Sequence, residues 1–270
     1  MNKKWLSFPY LFWAIGFVII PLCMVLYYGF TDRTHVFTFE NILAILSPEH
    51  RKALFLALLL SFISTIICIF LAYPLSMILA KMENGKNSFL VLIFILPMWM
   101  NFLLRTLAWQ TLLEKNGVIN NILTFLHMPK LSIINTPAAI ILGMVYNFLP
   151  FMVLPIYNSL SKIDHDVMNA ARDLGANGFQ AFLKITLPLS MPGVISGITM
   201  VFVPALTTFV ISTLLGGSKI LLIGNVIEQE FTQAGNWNLG SGLSIVLMIF
   251  IVISIIVSTL SDKEGEGSAL

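Results

Sequence analysis

Charge is what this chain has least of. Only 10% of its 270 residues are Asp, Glu, Lys or Arg, where a soluble domain carries about 25%. A surface that poor in charge is not made for water, and the bilayer is its solvent. The formal net charge of +2 is too small to hold a polyanion, which excludes nucleic acid as a partner. Cysteine is nearly absent, and Cys23 and Cys68 lie in separate apolar runs. They read as small core residues rather than a disulfide. His35, His50, His127 and His165 are scattered without metal-ligand spacing, so no metal site is expected. A nucleotide loop is missing as well. Gly85-Lys86-Asn87 lacks the leading glycine and the hydroxyl of a phosphate loop, and Gly217-Ser218-Lys219 runs in the wrong order. No ionisable cluster offers acid–base or nucleophilic chemistry, which disfavours a membrane enzyme. The chain is expected to bind no cofactor of its own.

What it has is apolar length. Hydrophobic residues make up 57% of the chain, and they fall in runs of about 20, the length of a membrane-crossing helix. Backbone groups in lipid must bond within their own segment, so the runs are helices. The pattern predicts an all-α integral membrane protein with a single membrane domain over residues 1–270. Six spans are expected, at about 8–30, 53–80, 89–109, 138–157, 191–214 and 242–260. The first is long and lacks a small-residue cleavage site, so it reads as a retained span rather than a signal peptide. Residues 31–52 form a polar connection with a short amphipathic piece, 110–136 and 215–239 form longer ones, and the tail from Ser261 reads as mobile.

Basic residues test the orientation. With the N-terminus in the cytoplasm, Lys3, Lys4, Lys81, Lys86, Lys162, Arg172, Lys184 and Lys263 lie inside. Arg33, Arg51, Lys52, Lys115, Lys130 and Lys219 lie outside. The bias favours both termini inside, and the inner loops are the shorter and denser in charge.

The most informative stretch is one of the least apolar, residues 162–190. Asp164 can cap a short helix by accepting from its free first-turn N–H groups, and Asp166 adds negative charge where the dipole favours it. Val167, Ala170, Ala171 and Leu174 recur at helical spacing as one narrow apolar stripe. Gly175 is a left-handed stop. Asn177 can cap a second helix carrying Phe179, Phe182 and Leu183, and Leu187-Pro188 is expected to break the run before the next span. The pattern predicts a helix–turn–helix at the membrane surface with a face of small residues.

Asn169-Ala170-Ala171, then Gly175, then Ile185-x-Leu187-Pro188 resembles the EAA loop of ABC importer permeases. The resemblance implies that this loop supplies a coupling helix that docks on a cytoplasmic ATPase. Asp166, Asn169, Ala170, Ala171, Asp173, Leu174, Gly175, Ala176, Ile185, Leu187 and Pro188 would form that docking loop. Asn169 stands where the family usually has glutamate. Further segments are similar to permeases of spermidine/putrescine importers: YPLSMILAK (73–81), LPMWMNFLLRTLAW (96–109), VYNFLPFMVLPIY (145–157), AARDLGA (170–176) and GGSKILLIGNVI (216–227). This implies a type I importer permease fold in a cell membrane. It also implies a second homologous permease subunit, two copies of an ABC ATPase that binds the ATP and Mg, and an extracytoplasmic polyamine-binding protein. The same machine for iron, sulfate or another organic ion is the near alternative, and a stand-alone channel or secondary carrier the distant one.

Polar residues in the spans mark a candidate pathway: Trp99, Asn101, Tyr146, Asn147, Thr207 and Thr208. Each faces either a cavity or a hydrogen-bond partner on a neighbouring helix. Arg105 snorkels, pairs with an acid, or lines water. Glu228 and Glu230, near Phe231 and Trp237, suit either an organic cation, through charge and cation–π contact, or a solvated amphipathic helix. Pro74, Pro97, Pro150, Pro155 and Pro204 are expected to bend their spans, and Gly193-x3-Gly197 to permit close packing within the subunit.

Overall fold

The computed structural model describes residues 8–82, 92–93 and 96–267. The helices are α1 (8–29), α2 (Glu40–Leu43), α3 (Pro48–Lys81), α4 (Phe102–Leu113), α5 (Val118–Phe125), α6 (Pro137–Leu160), α7 (His165–Asp173), α8 (Gly178–Thr207), α9 (Val210–Gly216), α10 (Ile223–Thr232) and α11 (Trp237–Gly267). Among the described residues, five stretches are long and apolar enough to cross a membrane: Tyr10–Gly29, Pro48–Lys81, Pro137–Leu160, Gly178–Thr207 and Trp237–Leu260.

The third expected span, 89–109, is described in part. Residues 96–99 are helical, the chain turns out of helix at Met100 and Asn101, and α4 then starts afresh. Asn101 causes the restart, because its side-chain oxygen accepts from Leu103 N–H (2.8 Å) and Leu104 N–H (3.3 Å).

Caps move other boundaries too. Ser47 accepts from His50 N–H and Pro48 takes the first helical position, so α3 absorbs the polar residues assigned to the preceding connection. Thr136 caps α6 before Pro137, as its sequence predicts. α11 continues through the tail to Gly267, where polarity had pointed to a mobile end; residues 268–270 lie outside the described residues. The fifth span differs most. It begins at Gly178, inside the polar stretch, stops at Thr207, and resumes as α9 after a two-residue break.

Prolines explain the two π turns, Ile15–Ile19 and Phe182–Thr186. Each precedes a proline by one residue, Pro21 and Pro188. Ile20 N–H reaches Ile15 O and Leu187 N–H reaches Phe182 O, five residues back. The wider turn keeps the proline ring off the carbonyl it would strike in a regular helix. Leu187-Pro188 therefore does not break the run: α8 passes through it.

α3, α6 and α8 form the core. Ala57, Cys68 and Ala72 of α3 meet Met144, Met152 and Ile156 of α6 and Val194 and Val201 of α8. Gly193 and Gly197 set the α6–α8 distance. A Cβ at Gly193 would lie 2.5 Å from Pro155 O, and one at Gly197 2.5 Å from Met152 Sδ. This is the intrasubunit packing expected of the Gly-x3-Gly pair. α1 is apolar and exposed nearly all round, the surface of a helix made for lipid or another apolar partner. Cys23 shares that exposure, so of the two cysteines only Cys68 is a core residue.

Candidate functional site

The stretch between α6 and α8 folds into an elbow held by its own backbone. Asp164 accepts from Asp166 N–H (2.9 Å) and starts α7. At the other end Ala176 N–H reaches Ala171 O (3.0 Å) and Gly175 N–H reaches Arg172 O (2.9 Å). This pair of bonds closes a helix on a left-handed residue, and Gly175 has φ +81°. Asn177 then caps α8 in a reciprocal box: its side chain accepts from Gln180 N–H (2.8 Å), and Gln180 Oε1 accepts from Asn177 N–H (3.0 Å). Every bond spans two to five residues.

The elbow is anchored through its inner side. Tyr73 and Ser190 hydroxyls are 2.7 Å apart, Tyr73 meets Phe182 edge-on at 5.7 Å, and the Thr186 hydroxyl points at Met168 Sδ at 3.7 Å. Ala171 and Ala181 are buried here. The apolar stripe is thus divided. Ala171, expected on a docking face of small residues, is turned into the chain, while Val167, Ala170 and Leu174 remain outside. Leu174 is 90% exposed and Phe179 69%. A large apolar side chain left this open at a helix terminus is not covered by any of the described residues. Of the other loop residues, Asp166, Asn169, Asp173, Gly175 and Pro188 are exposed, and Ala176, Ile185 and Leu187 are half-buried.

The candidate pathway residues do not converge on one place. Thr207 and Glu228 do meet, lining with Phe231 a cavity of about 420 Å³ between α8, α10 and α11. Glu228 Oε1 accepts from the Thr232 hydroxyl (2.9 Å), and Glu230 does not line this cavity. Thr208 is buried at the α8–α9 break. Trp99 is exposed, and Asn101 is occupied as a cap.

Arg105 is buried. Among the described residues its Nε and Nη1 have no hydrogen-bond partner, and neither has Asn147 Oδ1. Snorkelling, the simplest expectation for Arg105, is therefore not what the side chain does. Ring contacts join the same two helices, Phe102 to Phe148 at 6.3 Å and Trp109 to Tyr146 at 5.2 Å.

Sequence reasoning missed Asn225, the most connected polar residue of the far connection. Its oxygen accepts from Leu222 N–H (3.1 Å) and the Ser212 hydroxyl (2.5 Å). Its nitrogen donates to Phe209 O (3.0 Å) and Thr213 Oγ1 (2.8 Å). Its place within GGSKILLIGNVI was visible, but partners 12 to 16 residues away leave no local signal.

Among the described residues the chain is a helical membrane protein with an exposed apolar elbow. Over residues 72–263 the chain matches the family described as binding-protein-dependent transport system inner membrane component, and it belongs to that family. It is accordingly a multi-pass membrane transport subunit and not an enzyme. Across 260 residues it is 38% identical to the spermidine/putrescine transport system permease protein PotB of Haemophilus influenzae, covering 93% of this chain and 91% of that protein. It is equally 38% identical, over 266 residues, to PotB of Escherichia coli K12, with 94% and 97% covered. In fold it resembles a chain in the crystal structure of a bacterial ABC transporter involved in the import of the acidic polysaccharide alginate. There the TM-score is 0.82 at 16% identity, covering 97% of this chain and 96% of the other.

Proposed function

We propose that this chain is the permease subunit of an ATP-driven importer of spermidine and putrescine, with a type I importer permease fold. The observation that carries the substrate class is the 38% identity to spermidine/putrescine permeases over nearly the full length of both chains. The elbow supports the coupling role. It is a self-capped helix of rigid shape whose exposed Val167, Ala170, Leu174 and Phe179 suit the cleft of another protein. In this reading the elbow faces the cytoplasm, both termini lie inside, and the docking residues are Asp166, Ala170, Asp173, Leu174, Gly175 and Ala176 with Ile185, Leu187 and Pro188; of the expected set, Ala171 is buried and Asn169 lies on the inner side of α7. A second homologous permease completes the pathway, two copies of an ABC ATPase hold the ATP and Mg, and an extracytoplasmic binding protein delivers the polyamine. Nucleotide-driven movement of the ATPase biases the permease between its two access states through the elbow.

The test is uptake by proteoliposomes containing the assembled complex. Labelled spermidine and putrescine should accumulate only with ATP on the motor side and should compete with each other. Uptake of iron, sulfate or another solute with no competition by either polyamine would overturn the substrate class. Movement of solute by this chain alone without ATP would remove the coupling role.

A further inference from the structure

A cavity of about 350 Å³ lies beneath the elbow, walled by the last turn of α3, the end of α6, the inner side of α7 and the first turns of α8. Lys81, Asn169 and Arg172 make its polar wall, and Met77, Leu160 and Phe182 its apolar one. No described carboxylate lines it, and neither Lys81 nor Arg172 forms an ion pair among the described residues. Its level is that of a bilayer surface, because Lys81 ends one membrane-length helix and Leu160 another. Two cations above an apolar floor, at the depth where phosphates give way to acyl chains, match an anionic phospholipid. The charges meet the headgroup and the floor takes the glycerol end of the chains.

We propose that this cavity binds one anionic phospholipid, with Lys81 and Arg172 on its phosphate and the Asn169 amide donating to a headgroup oxygen. The geometry of α7 favours lipid over protein as the occupant. At about 100° per residue, Met168, Arg172 and Asn169 fall on one side of the helix, and Val167, Ala170 and Leu174 fall opposite. A protein seated on the second stripe leaves the first turned toward the bilayer. Residue 169 tunes the site: a glutamate there would set a carboxylate one helical turn from Arg172 and offset one of the two positive charges. Asn169 leaves both in force. The proposal does not rest on the identity of the transported solute.

The test uses the full chain in detergent, exchanged with phosphatidylglycerol or phosphatidylcholine and read by native mass spectrometry. One phosphatidylglycerol should stay bound with about 25-fold preference, since a basic residue beside an anionic headgroup contributes about fivefold. Lys81→Gln with Arg172→Gln should abolish the preference, and Asn169→Glu should cut it to about fivefold with both cations in place. Lys81→Arg with Arg172→Lys should keep it. Equal binding of the two lipids by the unaltered chain overturns the proposal, and so does a preference that survives the paired Gln change. Displacement of the lipid by millimolar inorganic phosphate would assign the cations to a soluble anion; displacement by the ATPase would assign them to a protein contact. Either result overturns it. Should the paired Gln variant fail to insert, a photoreactive phosphatidylglycerol on the unaltered chain decides. Crosslinks within 72–81 and 165–178 are expected, and crosslinks only elsewhere overturn the assignment.

Discussion

The elbow at 164–188 and the far connection at 208–240 both reverse the chain between long helices, and they do so by opposite means. The elbow is closed by bonds two to five residues long, through Asp164, Gly175 and the Asn177–Gln180 box. The far connection has short backbone bonds of its own around Gln233, Ala234 and Asn236, but its distant parts are tied by one buried side chain, Asn225, gathering groups from α9, the loop before α10 and the α8–α9 break. A turn stabilised by neighbours in sequence can leave its side chains outside for another protein. A turn stabilised across distance must point its polar groups inward. The first leaves an apolar face open, as the proposed docking role requires, and the second serves closure.

The sharpest way to break this comparison is Gly175→Val. The left-handed φ of +81° resists a β-branched residue at a cost of about 1–3 kcal/mol. ATP-driven uptake by the assembled complex should fall at least about tenfold, with the chain still inserted at wild-type levels. Nothing lies within 4 Å of a Cβ at this glycine, so the effect tests conformation and not crowding. Asn225→Ala probes the other side. Losing a hub 2% exposed strands several buried groups at about 1–3 kcal/mol each, and the thermal midpoint should drop while ATPase association is unchanged.

A paired comparison sharpens the division of the α7 stripe. Leu174→Asp should weaken ATPase binding in a pull-down without changing the stability of the chain. Ala171→Glu should instead lower stability, because its site is 7% exposed and a charge there is buried without a partner. Equal loss of stability in both variants would show that the stripe is not divided. Gln180→Ala removes half of the capping box and should cost about 0.5–1 kcal/mol, read as a small shift in melting.

The smallest effect belongs to Asp32. It accepts from the Thr34 hydroxyl (2.7 Å), Val36 N–H (2.9 Å) and Thr34 N–H (2.8 Å). These bonds, the Thr34 hydroxyl first, hold its carboxyl below the usual carboxylate range. A depressed pKa stabilises the loop at pH above the ordinary carboxylate value and loses that contribution as pH falls through the lowered one. Loop amide exchange should quicken only in strong acid, and Asp32→Asn should abolish that pH step.

Much of the elbow was legible because its determinants act at short range. Asp164, Gly175 and Asn177 each announce a cap or a stop whatever surrounds them. The periodicity of Val167, Ala170, Ala171 and Leu174 fixed the stripe but not which part of it the chain would cover, since that depends on α3 and α8 packing beneath. Pro188 misled for a related reason. A proline removes one hydrogen bond, and whether the helix stops or widens into a π turn is decided by the packing on both sides. Asn101, a candidate for the pathway or for an interhelical bond, serves as a cap, while Arg105, for which snorkelling, pairing and water were all open, lies buried. The cap is a short-range pattern, an Asn just before the helix it starts, that the pathway reading passed over, whereas nothing within a few residues of Arg105 marks its burial.

The π turn at Phe182–Thr186 has a mechanical corollary. Because α8 does not stop at Pro188, the elbow and the middle of the bilayer belong to one rod of 30 residues. Such a rod is about 45 Å long, so a tilt of about 10° about its midpoint carries each end through roughly 4 Å. A push at the Gly178 base travels to the Thr207 end, beside Glu228, and the π turn, Pro192 and Pro204 are the points along the way where the rod can bend.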